Sequence, residues 1–541
     1  MVNSEPCPTA NEPPKTVGVT DNRSVAGLAT EKVRQAVKNR WVVSDGPAGP
    51  VIPGEVEAYL VSDANPWWQG RPARRLPEYR RWLFPAVLDS VKSGMAPVTA
   101  LRGPRQVGKS TLMEQVIEHL LSAEHVDPRR IFHVQFDEIP SLKGLSDPVL
   151  GFSRWYESRC LDGSFNAWAR RGEAAFIFLD EVQRLPDWAP QVKSLVDHHS
   201  VRVFLTGSSS LQIEAGRDSL AGRISTLELG PLLLREIAAL RDFGKLNGLL
   251  PVNGLAPLRD KQFWLDLRRL GEQNREIRDR AFAAFSERGG FPFAQVAPER
   301  TWEAVADQLN ETIVRRVIQT DLSRTPGGGR RDEHLLEALF RLACRYCGQA
   351  PKKSVYVGEV RDMLGLDVGW QKLVAYLKFL DSTLLLRLVE PLELRLKRSR
   401  GPAKVCLCDH TLRAAWLQEA VPLAPAALQD SPHLSEMAGR VAESTVGYFF
   451  ASMYHLDVAH FPERDAEPEV DFVLTVGTQR IPVEVKYRRK VEFRDTFGLR
   501  RFIEQSHNNA PFGVLVTLTD EVVSEDPRIV SLPLSSLLLL R

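Results

Sequence analysis

The chain has 541 residues, of which 43% are apolar, and its lysines and arginines exceed its acids by 70 − 68 = +2. This length exceeds what one hydrophobic core usually organises, so we expect about two to four domains. The near-neutral balance does not mark the whole chain as a nucleic-acid binder, so any such role must come from local basic patches. The N-terminus lacks the pattern of a signal peptide, and no stretch reaches the roughly 20 apolar residues that span a bilayer. We therefore expect a soluble, cytoplasmic protein.

The predicted elements divide the chain into five parts. Residues 1–65 are rich in Pro, Gly, Ser and Thr without a sustained period, which predicts a disordered arm. Over 66–235, helical patterns alternate with short β-branched runs, as in a parallel sheet flanked by helices. Residues 236–330 look mainly helical and are expected to form a lid. Two further domains are predicted over 331–415 and 430–541, separated by a Pro- and Ala-bearing link.

The strongest motif is GPRQVGKS, a full GxxxxGK[ST] match between an apolar strand and an amphipathic helix. Its glycines allow backbone N–H groups to surround phosphate oxygens, and the helix N-terminus adds a favourable dipole. Lys109 is expected to reach the β- and γ-phosphates of ATP, and Ser110 to offer a ligand to Mg²⁺. The predicted nucleotide-binding residues here are Gly103, Pro104, Arg105, Gln106, Val107, Gly108, Lys109, Ser110 and Thr111.

Two acids follow a second apolar strand in AAFIFLDEVQ. At the C-terminal end of a parallel strand, Asp180 can hold Mg²⁺ through water while Glu181 polarises the attacking water. Helix capping is the alternative for these acids. The next strand presents Thr206 and Ser208 as sensors of the γ-phosphate, although TGSSS is also ordinary turn chemistry. Before the fifth strand, Arg223 could stabilise transition-state charge on a neighbouring subunit's nucleotide or form an ordinary ion pair.

Five segments together resemble a known family: LRGPRQVGKSTL, FLDEVQRLPDW, LTGSSSLQI, LAGRISTLELGPLLLREI and GGFPFA. They are similar to those of bacterial and archaeal AAA-type ATPases with a C-terminal domain of unknown function, the AAA-14 plus DUF4143 arrangement. The resemblance covers nearly everything after residue 75. It implies ATP binding, ATP hydrolysis and the sheet of ASCE-type P-loop NTPases. It supplies no physiological task, and the long N-terminal arm departs from the family's compact start.

Residues 334–409 show helical patterns followed by two strand patterns around a basic loop, which is the order of a winged helix. In such a module the third helix can enter the major groove of DNA while the wing contacts phosphates. The basic loop is dense enough for several counterion-releasing contacts. A role in packing and signal coupling is the alternative that the residues leave open. The expected wing residues are Arg395, Lys397, Arg398, Arg400 and Lys404.

Six cysteines are scattered along the chain. The pairs Cys344/Cys347 and Cys406/Cys408 lie close enough in sequence to raise the possibility of zinc. Neither spacing belongs to a familiar zinc finger, so we expect buried, reduced thiols that pack as small apolar groups.

The segment EVDFVLTVGTQRIPVEVKYRR, residues 469–489, predicts a β-hairpin that is interrupted by charge. Glu484 and Lys486 are two apart on one strand and project from the same face, and Asp471 can approach them across the hairpin. Metal-dependent phosphodiester cleavage requires such a set, because the acids hold Mg²⁺ and the lysine aids the nucleophile. Glu443 on the preceding helix is a further candidate ligand. Charged residues on a solvent-facing strand would give the same pattern.

These four residues resemble the core of PD-(D/E)xK nucleases, with Val470 in place of that family's proline. The resemblance implies a restriction-endonuclease-like α/β domain over residues 430–541. It also implies that Glu443, Asp471 and Glu484 bind metal and that Asp471, Glu484 and Lys486 are catalytic. Such a fold does not guarantee cleavage.

The whole sequence therefore predicts an α/β multidomain protein: a P-loop NTPase parallel sheet with a helical lid, a winged-helix domain and a restriction-endonuclease-like domain. The predicted function is that of a Mg²⁺-dependent ATPase whose nucleotide cycle controls a nuclease-like half acting on nucleic acid, in a possible homo-oligomer. One alternative is a nucleotide-controlled switch or scaffold that recruits protein partners through an inactive nuclease-like module. Another is a DNA-binding regulator that does not cut strands.

Overall fold

The computed structural model describes residues 52–72, 74–139, 147–185, 187–207, 219–251, 254–321, 332–393, 401–463 and 468–541. Regular structure begins earlier than predicted, because helix α1 (Gly54–Tyr59) lies inside the expected disordered arm. Val56, Leu60 and Ala64 are buried at four-residue spacing, which is close to the helical period. The predicted arm is therefore wrong for residues 52–65, and the rest of it lies outside the described residues.

A parallel sheet forms the centre of the first half. In the part of the chain that the structure describes, its order is β2-β3-β4-β1-β5, and each neighbouring pair is parallel. The predicted α/β sheet is confirmed. Because β4 lies between β1 and β3, the carboxyl ends of these three strands are side by side. The strands are β1 (Val98–Arg102), β2 (Ile131–Gln135), β3 (Ala175–Asp180), β4 (Val201–Gly207) and β5 (Ile224–Glu228).

Helices flank this sheet and continue into the region expected to be a lid. The indole N–H groups of Trp67 and Trp68 donate to the carbonyl of Ile131, which fastens the N-terminal segment to β2. The flanking helices are α2 (Phe84–Ser93), α3 (Lys109–Ser122), α4 (Pro148–Arg159), α5 (Phe165–Arg170), α6 (Trp188–His198) and α7 (Leu234–Leu240). The helices of that region, called the lid below after this expectation, are α8 (Lys261–Gln273), α9 (Arg275–Arg288), α10 (Pro292–Val296) and α11 (Trp302–Leu309).

Helices followed by a strand pair make up the middle of the chain. Strands β6 (Leu386–Val389) and β7 (Lys404–Leu407) are antiparallel. Four of the expected wing residues, at positions 395, 397, 398 and 400, lie outside the described residues. All four cysteines of this region are buried and free. The helices are α12 (Glu333–Arg345), α13 (Lys353–Leu364), α14 (Trp370–Ser382), α15 (His410–Leu417) and α16 (Pro425–Asp430).

The C-terminal part contains a mixed sheet of order β12-β11-β10-β9-β8 within the described ranges. The pairs β8/β9 and β9/β10 are antiparallel, whereas β10/β11 and β11/β12 are parallel. The elements in chain order are α17 (Ser435–Ala451), β8 (Asp457–Phe461), β9 (Val470–Val476), β10 (Gln479–Lys486), α18 (Phe497–Glu504), β11 (Gly513–Thr517), β12 (Ile529–Pro533) and α19 (Leu534–Leu537).

The C-terminal part packs directly on the lid. The Arg278 guanidinium on α9 donates to both carboxylate oxygens of Asp520, over 2.9 Å and 2.7 Å. One continuous apolar core includes Val98 of β1, Leu339 of α12 and Leu537 of α19. The predicted domain boundaries therefore do not divide the core. No helix in the described ranges combines the length and apolarity needed to cross a bilayer.

Candidate nucleotide site and carboxylate cluster

The glycine-rich loop joins β1 to α3 in a conformation that requires glycine at two positions. Gly108 has a left-handed φ of 92°, which side chains with a Cβ rarely adopt. At Gly103, a Cβ would collide with the carbonyl oxygen of Leu229. Lys109 is buried, and its Nζ donates to the carbonyls of Gly103 (3.0 Å) and Pro104 (2.7 Å). The ammonium is thus held at the loop that the motif assigns to phosphate.

The acids predicted to act on ATP lie beside this loop. Asp180 ends β3 and is buried, and its Oδ1 accepts a hydrogen bond from the Thr206 hydroxyl on β4. The Glu181 backbone N–H donates to Asp180 Oδ1 (3.1 Å) and Thr206 Oγ1 (3.3 Å). Glu181 has a φ of 52°, a strained value for a residue other than glycine, and such strain clusters at functional sites. Its carboxylate accepts from the Gln183 amide.

The residues at this edge fit a magnesium ion. Ser110 is the second residue of α3, next to the loop, and Asp180 ends β3, which is two strands away from β1 in the sheet. A hydroxyl and a carboxylate are hard oxygen donors of the kind that Mg²⁺ prefers. The sheet order therefore brings Lys109, Ser110, Asp180 and Thr206 to one edge, with Glu181 directly after them. Ser208 lies outside the described residues.

Arg223 does not share this edge. Its carbonyl accepts from the backbone N–H of Val98 at the start of β1. The length of β1, about 13 Å, therefore separates it from the glycine-rich loop. Its guanidinium forms an ion pair with Asp197. Arg223 thus lies far from the nucleotide site of its own chain, and action on a neighbouring copy's nucleotide stays a prediction.

Glu228 links the nucleotide edge to the middle of the chain, a contact that sequence reasoning missed. Its Oε2 lies 3.0 Å from Nη2 of Arg102, the residue before the glycine-rich loop. Its Oε1 lies 2.5 Å from Nη2 of Arg387 on β6. Burial disfavours the charge of Arg387, but Glu228 outweighs burial and raises the pKa of this guanidinium. One buried carboxylate thus joins β1, β5 and β6.

The charged residues of the C-terminal hairpin converge as predicted. Strands β9 and β10 pair with Phe472 opposite Val483, which places Asp471 next to Glu484. The backbone N–H of Val485 donates to Asp471 Oδ2 over 2.8 Å, and the backbone N–H of Asp471 donates to Glu484 Oε2 over 3.4 Å. Lys486 Nζ donates to Glu484 Oε1 over 2.5 Å. We call Glu443, Glu469, Asp471 and Glu484 the carboxylate cluster.

A lysine from the middle of the chain enters this cluster. Lys404, predicted to lie on the exposed wing, is only 1% exposed, so that prediction is wrong. Its Nζ contacts the carboxylates of Glu443, Glu469 (3.5 Å) and Asp471 (3.2 Å). The signal that could have predicted its burial is the strand KVCLC, in which Lys404 projects from the same face as Cys406 and Cys408. A charge within such an apolar strand needs a buried partner.

Burial and neighbouring charge shift the ionisation of the cluster in opposite directions. Burial, reinforced by Asp471, raises the pKa of Glu484 to about 8 and that of Glu443 well above its usual range. Burial also opposes the charge on Asp471, but Lys404 and Lys486 outweigh it and lower the pKa of that carboxyl. Burial would lower the pKa of Lys404, yet Asp471 and Glu443 raise it well above its usual range. Lys404 is therefore a permanent cation among acids of unequal strength.

The expected metal ligands do not assemble into a metal site. Among the residues that the structure describes, no group of three or more His, Cys, Asp or Glu side chains has the geometry to hold a metal ion. The physical reason is the position of Lys404, because its ammonium lies at both Glu443 and Asp471. The cluster thus does not fit the divalent metal that the nuclease resemblance implies.

The parallel sheet, the glycine-rich loop and the paired acids at the end of β3 are the arrangement of a P-loop nucleotide-binding domain. Two family models match the chain: residues 96–238 match the AAA domain model (AAA_14), and residues 438–537 match DUF4143, a domain of unknown function. The predicted resemblance to the AAA-14 plus DUF4143 arrangement is confirmed for these segments. The second match covers the whole hairpin and α17 from residue 438 onward, and its description names no activity.

Similar proteins extend the comparison over parts of the chain. An uncharacterized protein of Mycobacterium bovis and one of Mycobacterium tuberculosis are each 32% identical over 181 residues, which is 32% of this chain. The match spans 34%, about a third, of the length of these curated relatives. Among solved structures, a Walker-type ATPase of Pyrococcus abyssi aligns with 64% of this chain and 99% of its own, with 14% identity and a TM-score of 0.36.

Proposed function

We propose that this protein is a Mg²⁺-dependent ATPase whose nucleotide cycle controls its winged-helix-like and nuclease-like half. The observation that carries the proposal is the convergence of Lys109, Asp180, Glu181 and Thr206 at one edge of the sheet. Phosphoryl transfer needs little covalent chemistry from a protein and depends on positioning and electrostatic stabilisation. This edge offers both.

Each residue at the edge has a distinct role in the proposed reaction. Lys109 exchanges its two loop carbonyls for the β- and γ-phosphates. Ser110 and Asp180 would hold the metal, and Mg²⁺, when bound, neutralises charge on the phosphates. Thr206 fixes the carboxylate of Asp180 through its hydroxyl. The carboxylate of Glu181 accepts a proton from the attacking water. Two hydrogen bonds from its backbone N–H, to Asp180 and Thr206, hold this residue beside the metal-binding carboxylate.

The proposed control of the second half runs through Glu228. Leu229 touches Gly103 of the loop, and Glu228 holds both Arg102 and Arg387. A shift of the loop on ATP binding therefore acts on a carboxylate that also holds β6. Since this chain of contacts is short and buried, movement at one end requires repacking at the other.

Nucleic acid is the proposed partner of that half, and a basic surface next to Lys486 supports it. Residues 486–501 contain seven lysines and arginines against two acids, 7 − 2 = +5, while the whole chain has +2. Phe493 and Phe497 are 52% and 48% exposed within it, and Arg500 stacks on Phe493 at 3.5 Å. Basic side chains interleaved with exposed aromatic rings suit a phosphate backbone with unstacked bases. We call residues 486–501 the basic strip.

The ATPase is tested by ATP binding and steady-state hydrolysis of two variants. We expect Lys109→Ala to lose most ATP binding, and Glu181→Gln to keep binding while turnover falls by about 100-fold or more. Glu173→Gln, an exposed glutamate before β3, is the matched control and should behave as wild type. Normal turnover by Glu181→Gln would refute its assigned role, and normal ATP binding by Lys109→Ala would refute the site.

The nucleic-acid partner is tested by titrating labelled single-stranded and double-stranded DNA and RNA at several salt concentrations. Reversing the exposed Arg489 and Lys490 to glutamate should weaken binding and reduce the slope of log affinity against log salt by roughly two. The control reverses the adjacent exposed residues Arg170 and Arg171 near the end of α5. Equal loss in both double variants, or no binding by wild type, would count against the basic strip.

A further inference from the structure

We propose that Lys404 is a built-in cation that occupies the position of a divalent metal in the carboxylate cluster. The cluster then serves as a joint between β7 and the C-terminal sheet, and it does not bind Mg²⁺ or cut phosphodiesters while Lys404 is in place. This inference concerns a different site from the nucleotide edge and does not depend on ATP hydrolysis.

The contacts of Lys404 leave its charge fully matched. An ammonium group has three N–H donors, and carboxylate oxygens of three residues, Glu443, Glu469 and Asp471, lie within contact of Nζ. The same nitrogen lies 5.1 Å from the ring centroid of Phe472, which adds a favourable cation–π contact. Because each N–H donor of this buried ammonium has a carboxylate partner, Lys404 is a fixed part of the packed interior.

The oxygens that a metal would need are already used. Asp471 accepts from Lys404 on Oδ1 and from the Val485 N–H on Oδ2. Glu484 accepts from Lys486 on Oε1 and from the Asp471 N–H on Oε2. A divalent ion would have to displace an ammonium and then lie a few ångström from a like charge. The residues therefore fit a lysine and do not fit a metal.

The origin of Lys404 gives the cluster a connecting role. Lys404 lies on β7, outside residues 438–537 that carry the acids of the hairpin and α17. Strand β7 pairs with β6, and Val389 is the partner of Lys404 in the register. The same β6 carries Arg387, which holds Glu228. The ion pairs of Lys404 thus tie the C-terminal sheet to the strand pair that is linked to the nucleotide edge.

The test counts Mn²⁺ ions bound to the full chain without nucleotide, by electron paramagnetic resonance of free Mn²⁺. All variants carry Asp180→Asn, which removes a metal ligand of the nucleotide edge. We expect Asp180→Asn alone and Asp180→Asn with Asp471→Asn to bind equally, because the cluster takes no metal. Adding Lys404→Ala should create a new Mn²⁺ site, since carboxylates freed of their ammonium suit Mn²⁺. Further addition of Asp471→Asn should abolish that site, and Lys404→Arg should not create it.

Two outcomes would overturn the proposal. One is Mn²⁺ binding by Asp180→Asn protein that disappears with Asp471→Asn, which would make the cluster a metal site with Lys404 present. The other is a folded Lys404→Ala protein that gains no Mn²⁺. Because the first comparison leaves Lys404 intact, it decides the matter even when Lys404→Ala fails to fold.

Discussion

The hydroxyl of Thr206 shows how one side chain can orient a carboxylate, here the one proposed to hold Mg²⁺. It donates to Asp180 Oδ1 and accepts from the backbone N–H of Glu181. The bond to Asp180 is buried near the end of β4, where water does not compete with it. Thr206 therefore fixes the direction of Asp180 as well as the strained backbone of Glu181.

We predict that Thr206→Val keeps ATP binding but lowers turnover by about 10-fold or more. The isosteric methyl group cannot donate to Asp180, and losing the hydrogen bond that orients this carboxylate costs about 1–3 kcal/mol. Steady-state hydrolysis at saturating ATP measures this. Thr206→Ser retains the hydroxyl and should keep most turnover. Thr226→Val is the matched control on β5, because the Thr226 hydroxyl is buried without a hydrogen-bond partner in the described residues. Equal turnover in the two valine variants would contradict the orienting role.

The nucleotide residues were predictable because their signals are local in sequence. Gly103, Lys109 and Ser110 belong to one eight-residue motif, and Asp180 and Glu181 follow one apolar strand. Lys404 and Glu228 were not, since their roles depend on partners that lie 39 and 159 residues away. No local periodicity reports such a partner. The position of Lys404 on one strand face with two cysteines indicated a buried strand, but it did not indicate which acids Lys404 would contact.

At the level of elements, α8 and α19 pack closely at Gly271, where the absence of a side chain lets the two helices approach. A Cβ at Gly271 would collide with the hydroxyl and Cβ of Ser536. The approach lets the Arg278 guanidinium donate to the Ser536 hydroxyl over 2.8 Å as well as to Asp520. A small residue on each side therefore sets the distance between the lid and the C-terminal part.

Gly271→Ala should lower the melting temperature, although alanine normally stabilises a helix by about 0.5–1 kcal/mol relative to glycine. The clash with Ser536 outweighs that gain, because overpacking a tight contact costs roughly 1–3 kcal/mol. Gly151→Ala is the matched control in α4, where a Cβ meets open space, and it should raise the melting temperature slightly. Differential scanning calorimetry of both variants measures the effect. A stabilised Gly271→Ala protein would show that the helices can separate freely.

The parallel sheet was predictable from its elements, and α1 was not. The β-branched runs at β1 to β5 alternate with helical patterns, so their order along the chain already predicted an α/β sheet. Helix α1 is one short element in a polar, Pro-rich stretch, and its single buried residue, Val56, does not stand out. The segment after it is fastened to β2 by Trp67 and Trp68, a contact across 63 residues or more that no local pattern reports.

For the whole molecule, charged pairs join the parts in addition to the apolar core. The carboxylate of Asp520 forms ion pairs with Arg275 and Arg278 of the lid. Burial opposes ionisation of Asp520, but hydrogen bonds from Arg278 outweigh it and lower the pKa of the carboxyl. A depressed pKa means that the folded state holds this proton less tightly than the unfolded state does.

The sign of that shift predicts a loss of stability in acid. The contribution of Asp520 is present above its unfolded pKa, near 3.8, and is lost as the pH falls through the lower folded value. Asp520→Asn should therefore be less stable than wild type at pH 7 and lose less stability between pH 5 and pH 2.5, measured by urea denaturation. Asp367→Asn, at a carboxylate whose side chain is 83% exposed, is the control. Parallel pH profiles for wild type and Asp520→Asn would contradict the prediction.

ATP binding should change amide hydrogen exchange in β6 and β7, because Glu228 connects the glycine-rich loop to Arg387. Arg387→Met removes the charge and keeps much of the apolar stem, so we expect the exchange change at 386–389 and 404–407 to disappear while ATP still binds. Arg345→Met on α12, at a half-exposed arginine, should leave the change intact. The same ATP-dependent change in wild type and Arg387→Met would show that Glu228 does not transmit the nucleotide state.

The undivided apolar core has a consequence for how this architecture can be taken apart. Val98, Leu339 and Leu537 belong to one hydrophobic core, so cleavage at any predicted boundary would expose a large apolar surface on both fragments. Either family-matched segment, when expressed alone, should therefore aggregate, whereas a protease should find few sites that release a soluble fragment. The same constraint applies in evolution. We expect the two segments to occur together in one chain, because either one in a different chain would need polar substitutions on the surface that it now buries.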